Sequence, residues 1–107
     1  MTVPTATARA IVPTAHASKY LQQLCKHWEH NLAVTFTPEN GTVVFPKDAR
    51  GADHPGDAVV TFDVVEDGLS VRVDASSAAQ LEGLKGAVAR HLDRFAFREA
   101  PLGFDWK

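Results

Sequence analysis

Apolar positions change their spacing along this chain in an order that spells out its elements. From Thr5 to Val12 small and β-branched residues run up to Pro13, which reads as an opening strand that stops before a helix capped by Thr14. From Ala15 to about His30, Ala17, Tyr20, Leu21, Leu24, Cys25 and Trp28 recur at three- and four-residue spacing, one buried stripe of an amphipathic helix. Ala33 to Thr37 and Thr42 to Phe45 are short β-prone runs around Pro38-Glu39-Asn40-Gly41, and Asn-Gly predicts the hairpin turn because both residues tolerate positive φ. Lys47 to Gly56 is too polar and too broken by Gly and Pro for an element and reads as an exposed loop. Val60, Phe62 and Val64 alternate with Thr61 and Asp63, so Ala58 to Val65 and Leu69 to Val73 form a second hairpin across Glu66-Asp67-Gly68 with one buried face.

The last third returns to helical spacing. Ser77 followed by Gln80 is a capping-box pattern, and Leu81, Leu84, Val88, Leu92 and Phe95 then share one face while Glu82, Lys85, Arg90, Asp93 and Arg94 face water. Gly83 and Gly86 inside this helix each cost up to about 1 kcal/mol relative to Ala, which suggests a close approach to the sheet. Leu102 to Trp106, after Pro101, reads as a final strand. The predicted order is β-α-β-β-β-β-α-β. Two amphipathic helices and a mostly antiparallel sheet bury their apolar faces most simply as an α+β two-layer sandwich with both helices on one face, a single domain over residues 1–107.

Composition narrows the class of function. An apolar fraction of 45% and a charged fraction of 22% are ordinary for a globular domain. A net charge of −2 offers no electrostatic reason to expect nucleic acid or an anionic membrane. No apolar run approaches the roughly 18 residues of a membrane-spanning helix, and MTVPTATARAIVPTA lacks the pattern of a signal peptide. Cys25 is the single cysteine, which fits a reducing compartment. The expected location is the cytoplasm.

The candidate chemistry is histidine. Projected at about 100° per residue, His16, Tyr20, Gln23, His27 and His30 follow one flank of the first helix, and His91 takes a similar flank of the second. Side-by-side packing of the helices would bring His27 toward His91. A Zn²⁺ or Fe²⁺ ion accepts two or three imidazoles with a carboxylate, so His27, His30 and His91 are candidate metal ligands, with Glu29, Asp93 or Glu99 as the acid. No H-E-x-x-H or C-x-x-C spacing supports such a site, and the competing reading has these histidines bonded to backbone. Cys25 lies on the apolar stripe and reads as a small buried thiol rather than a nucleophile. A nucleophile-elbow Gly-x-Ser-x-Gly and a glycine-rich phosphate loop are both missing from the sequence, so catalysis has little support. Arg90, Arg94 and Arg98 recur every four residues, a solvated face or, opposite Lys26, an anion site. Trp28, Phe95, Phe97, Phe104 and Trp106 keep register with apolar faces and read as core.

Two segments resemble a known family. Tyr20-Leu21-x-x-Leu24-Cys25-Lys26-His27-Trp28-x-His30, then His91-Leu92-x-Arg94-Phe95-Ala96-Phe97-Arg98-Glu99 and Trp106, resemble the bacterial domain of unknown function 2218 across essentially the whole chain. The resemblance implies a short α+β protein. It also implies an accessory role linked to iron, because the domain occurs attached to siderophore-interacting flavoproteins of the ferric-reductase kind. The family pattern matches His27, His30, His91, Arg94 and Phe95 and assigns them no role, while the Lys47–Gly56 loop departs from the short glycine turn usual in the family. The leading expectation is a non-enzymatic binding or accessory domain using the surface around His27, His30, His91 and Arg94, with a siderophore-interacting flavoprotein or another protein as partner and no defined cofactor. The alternatives are a metal-binding protein built on the histidine cluster and a structural interaction domain, seen as a homodimer or a tight complex.

Overall fold

The computed structural model describes residues 6–48, 54–96, 98–99 and 102–107. Its elements are β1 (Ala6–Pro13), α1 (Ala17–Trp28), β2 (Ala33–Phe36), β3 (Asn40–Phe45), β4 (Ala58–Val65), β5 (Gly68–Ala75) and α2 (Ala78–Phe95). The strands form a five-stranded sheet in the order β1-β5-β4-β3-β2, and every neighbouring pair is antiparallel. The chain starts at one edge, crosses the sheet through α1, and returns as a meander from β2 to β5. Both helices cover the same face of the sheet, as the apolar alternation predicts.

Register explains the single buried face. Ala8, Val73, Val60 and Val43 stand in one cross-strand row, Ala10, Val71, Phe62 and Gly41 in the next, and all of them are buried. The intervening row of Arg9, Arg72, Thr61 and Thr42 lies on the other, open face. α1 lays Leu21, Leu24 and Cys25 on the inner face at 0% exposure, and α2 adds Val88 and Leu92, also at 0%. Burying a Leu or Val side chain contributes about 1.5–3 kcal/mol, so this apolar seam is the main source of stability. One cluster connects all of these residues.

Several local expectations change in three dimensions. Asn40-Gly41 is not the hairpin turn, because Phe36 pairs with Gly41 and the reversal is made by Thr37 to Asn40, closed by Thr37 N–H on Asn40 O at 2.7 Å. Gly41 instead faces inward under α1, where an added Cβ would sit 2.8 Å from Cys25 Sγ and 3.2 Å from Phe36 Cβ. Gly68 serves a similar purpose at the start of β5, since a Cβ there would stand 2.0 Å from Val12 O on β1. Thr14 does not cap α1. His16 holds the N-cap position without a side-chain bond, while Thr14 accepts from His16 N–H and donates to the Glu99 carboxylate.

The Ser77 cap is present, with Gln80 N–H donating to Ser77 Oγ at 3.1 Å. The return arm of the box is shifted by one residue, because Gln80 Oε1 accepts from Ser76 N–H at 2.6 Å and Gln80 Nε2 donates to Gly56 O at 3.1 Å. Gln80 is thereby buried with its amide satisfied, which is the condition for placing a polar side chain at 4% exposure. Leu102 to Trp106 is not a strand. The chain meets β1 only just after it, in one reciprocal pair of bonds between Arg9 and Lys107, at 3.1 and 2.8 Å. Its anchors are Leu102, whose N–H donates to Asp93 Oδ1 at 2.8 Å, and the stacked pair Phe104–Trp106. Of the residues assigned by pattern, Thr5, the loop positions Gly51 and Asp53, Phe97 and Pro101 lie outside the described residues.

Candidate functional site

The two helices part toward the C-terminal end of α1, and a groove of about 580 Å³ opens there. Ligand pockets commonly measure roughly 300–1,000 Å³. One wall is the last turn of α1 with the turn that follows it, where Asn31 and Leu32 are held by N–H bonds to Trp28 O at 3.0 and 2.9 Å. The other wall is the first four turns of α2, represented by Gly83, Ala87, Arg90 and His91. Phe45, Pro46 and His54 close the end. The loop bearing His54 is tied at its neck, where Lys47 N–H donates to Asp57 Oδ1 at 2.8 Å and His54 N–H to Lys47 O at 3.0 Å.

Aromatic rings make the inner surface. Trp28 meets Phe45 edge-on at 5.0 Å between centroids and His91 at 5.1 Å, and His27 lies 5.5 Å from His91. His91 Nδ1 stands 2.6 Å from Ala87 O. A carbonyl only accepts, so Nδ1 carries a proton, and in the neutral imidazole Nε2 keeps its lone pair for another partner. Burial pushes the pKa of His27 down from the usual 6.5, and the nearby His91, Arg94 and His30 push it further down. The open space over Gly83 contributes to the opening, since a Cβ at that position would meet nothing within 4 Å. At Gly86 the missing Cβ makes room for the Arg90 guanidinium, whose Nη1 would lie 2.9 Å from it. The two glycines therefore serve the groove side of α2 and not an approach to the sheet.

The four residues singled out by sequence divide into two pairs. His27 and His91 face each other and line the groove. His30 and Arg94 are exposed beside it and act on His27 through charge. Among the described residues no group of three or more His, Cys, Asp and Glu side chains is arranged to hold a metal. Two of the three carboxylates proposed as partners are engaged elsewhere: Asp93 accepts from Leu102 N–H, and Glu99 accepts from Tyr20 Oη and Thr14 Oγ1. The bond from Tyr20 keeps Glu99 below and Tyr20 above its ordinary pKa. Cys25 is fully buried, and loss of hydration raises its thiol to about 11, so it is protonated near neutral pH and is no nucleophile.

Arg90 and His54 line the groove without having been among the four residues singled out. Arg90 entered the sequence reading only within an arginine run, as a solvated face or an anion site opposite Lys26, and His54 lay in a loop read as exposed. The usable signal was Gly83 and Gly86, two costly residues on the same helix as Arg90 and His91.

Family comparison agrees with the resemblance. Residues 9–107 match the family described as "Uncharacterized protein conserved in bacteria (DUF2218)". The chain belongs to this family. Among solved structures it is similar to the NMR structure of PA4090 from Pseudomonas aeruginosa, with 25% identity, 94% of this chain and 93% of that chain covered, and a TM-score of 0.67. No curated protein matches the chain. Among the described residues no helix is long and apolar enough to cross a membrane.

Proposed function

We propose that this member of the family is a non-enzymatic binding domain whose ligand site is the groove between α1 and α2. The observation that carries the reading is a 580 Å³ groove walled by Trp28, Phe45, His27 and His91. Concave, mostly apolar surfaces with a few convergent polar groups are the usual form of small-molecule sites. His91 Nε2 and the Arg90 guanidinium are such groups. The finer role, accessory service to iron or siderophore handling beside a siderophore-interacting flavoprotein, is supported by the resemblance of the His27–His30 and His91–Glu99 segments to a domain found attached to such proteins.

The test is an amide NMR screen of small organic molecules against the wild-type chain and Gly83→Phe, which places a ring in the open space over position 83. Hits that shift Leu32, His54, Gly83 and His91 together, and that disappear in a folded Gly83→Phe protein, support the reading. Hits that ignore the substitution, or no hits at all, overturn the groove as the site. For the finer role, an iron-loaded catecholate that binds at the same residues supports siderophore handling, and its failure where other molecules bind there removes that role alone.

A further inference from the structure

The whole chain carries thirteen Asp and Glu residues and a net charge of −2, yet among the described residues no carboxylate lines the groove. The described ionisable lining is one arginine, Arg90, and three histidines, His27, His54 and His91. Among the described residues Arg90 makes no ion pair with a carboxylate. Arg94 and His30, on the flank, add to the same sign of potential at His27. Charge in the groove is therefore opposite to the charge of the molecule as a whole, and such a local field draws anions.

The remaining lining is flat and aromatic. Trp28, Phe45 and the two imidazoles supply ring edges and faces for a planar guest, and offset or edge-on ring contacts contribute about 0.5–1.5 kcal/mol beyond the area they bury. Arg90 stands one residue before His91 on α2, with its guanidinium folded over Gly86 at the rim. Planar guanidinium donors match the two oxygens of a carboxylate in a paired arrangement that an ammonium group does not reproduce, and they donate charge-assisted bonds to a single phenolate oxygen as well. His91 Nε2, oriented by the bond from Nδ1 to Ala87 O, is placed to accept from a hydroxyl or amide of the guest.

Resting on the groove being the ligand site, we propose that its ligand is a planar aromatic anion, with its ring system against Trp28, Phe45 and His91 and its carboxylate or phenolate on Arg90.

Three probes of matched bulk separate the elements of this assignment: 2-naphthoate, 2-naphthamide and decanoate, each titrated into the intact chain and followed by amide NMR and Trp28 fluorescence. The assignment expects 2-naphthoate to bind at Gly83, Arg90 and His91 at least about tenfold more tightly than the other two, as one charge-assisted pair contributes. Arg90→Gln should erase that preference by bringing 2-naphthoate down to the affinity of 2-naphthamide for the same variant. Equal binding of acid and amide in the groove overturns the anion and leaves the groove standing. A preference for decanoate overturns the aromatic guest. If none of the three perturbs the groove residues, this assignment falls, and the binding-domain reading is then decided by the broader screen with Gly83→Phe.

Discussion

Two stretches of α1 meet two different environments, and a glycine marks each. Midway along the helix, Leu21, Leu24 and Cys25 press onto the sheet, and Gly41 on β3 is there because no Cβ fits beneath the Cys25 sulfur. At its C-terminal end, Trp28 and His27 face an opening that includes Gly83, where a Cβ would touch nothing. Sequence alone gives the same letter to both positions. In the first the missing side chain is taken up by close packing, the condition in which interiors resemble crystals. In the second the missing side chain leaves space that solvent or a ligand can occupy, at a cost in helix propensity.

Trp28 belongs to both regions and tests the contrast most severely. It is 6% exposed, packs on Phe45 and Phe62, and also lines the groove. Trp28→Ala should cost about 3–5 kcal/mol by urea unfolding. A loss below about 1 kcal/mol, the range of ordinary surface changes, would mean that this end of α1 does not share the core.

The two glycines should then respond with opposite sign. Gly41→Ala should lose about 1–3 kcal/mol through overpacking against Cys25, and Cys25→Ala in the same chain should recover part of that loss because it removes the clashing sulfur. Gly83→Ala should gain up to about 1 kcal/mol, since the methyl meets no neighbour and the helix backbone loses freedom only in the unfolded state. Equal signs for the two substitutions would erase the distinction between packed seam and open groove.

The smallest expected effect is a pH slope. His27 has its pKa lowered in the fold from 6.5, first by burial and then by His91, Arg94 and His30. The unfolded chain therefore binds a proton that the folded chain resists, so stability falls as pH drops through about 6.5 toward the folded value and levels off below it. Comparing urea midpoints at about pH 7.5 and about pH 5.5 should show a shallower slope for His27→Gln than for wild type. An identical slope would show that the imidazole titrates as if free in solution.

The packed region was largely legible in the chain. The stripe from Ala17 to Trp28, the alternation at Val60 and Phe62 and the Ser77 cap each place their residues where the structure has them, while Val64, at the end of that alternation, is exposed, because burial of one face imposes a period that the amino acids repeat only as far as the helices cover it. Errors fell where a residue type has two local uses. Asn40-Gly41 reads as a turn because Gly permits positive φ, but Gly41 is selected by a sulfur atom on another element, and no local rule sees that contact. Thr14 reads as a cap, but a carboxylate 85 residues away draws its hydroxyl. The end segment has the composition of a strand, yet it is held to α2 at Leu102 and to β1 only at Lys107, so it does not form a strand of the sheet.

The site was half legible. His27 and His91 could be named from their helix flanks, since the angle of a side chain about its own helix is a local property. What brought their rings to 5.5 Å, added His54 from the loop and Arg90 from the arginine run, and kept every described carboxylate out of the lining was the packing of α1 against α2 over a shared sheet face. By itself the sequence determined which faces are buried, the order of elements and the family, because these follow from periods and residue types along one dimension. The groove, its charge and the separation of His30 and Arg94 from its lining were decided only by tertiary structure, because they depend on distances between residues that the chain places up to 64 positions apart, as it does His27 and His91.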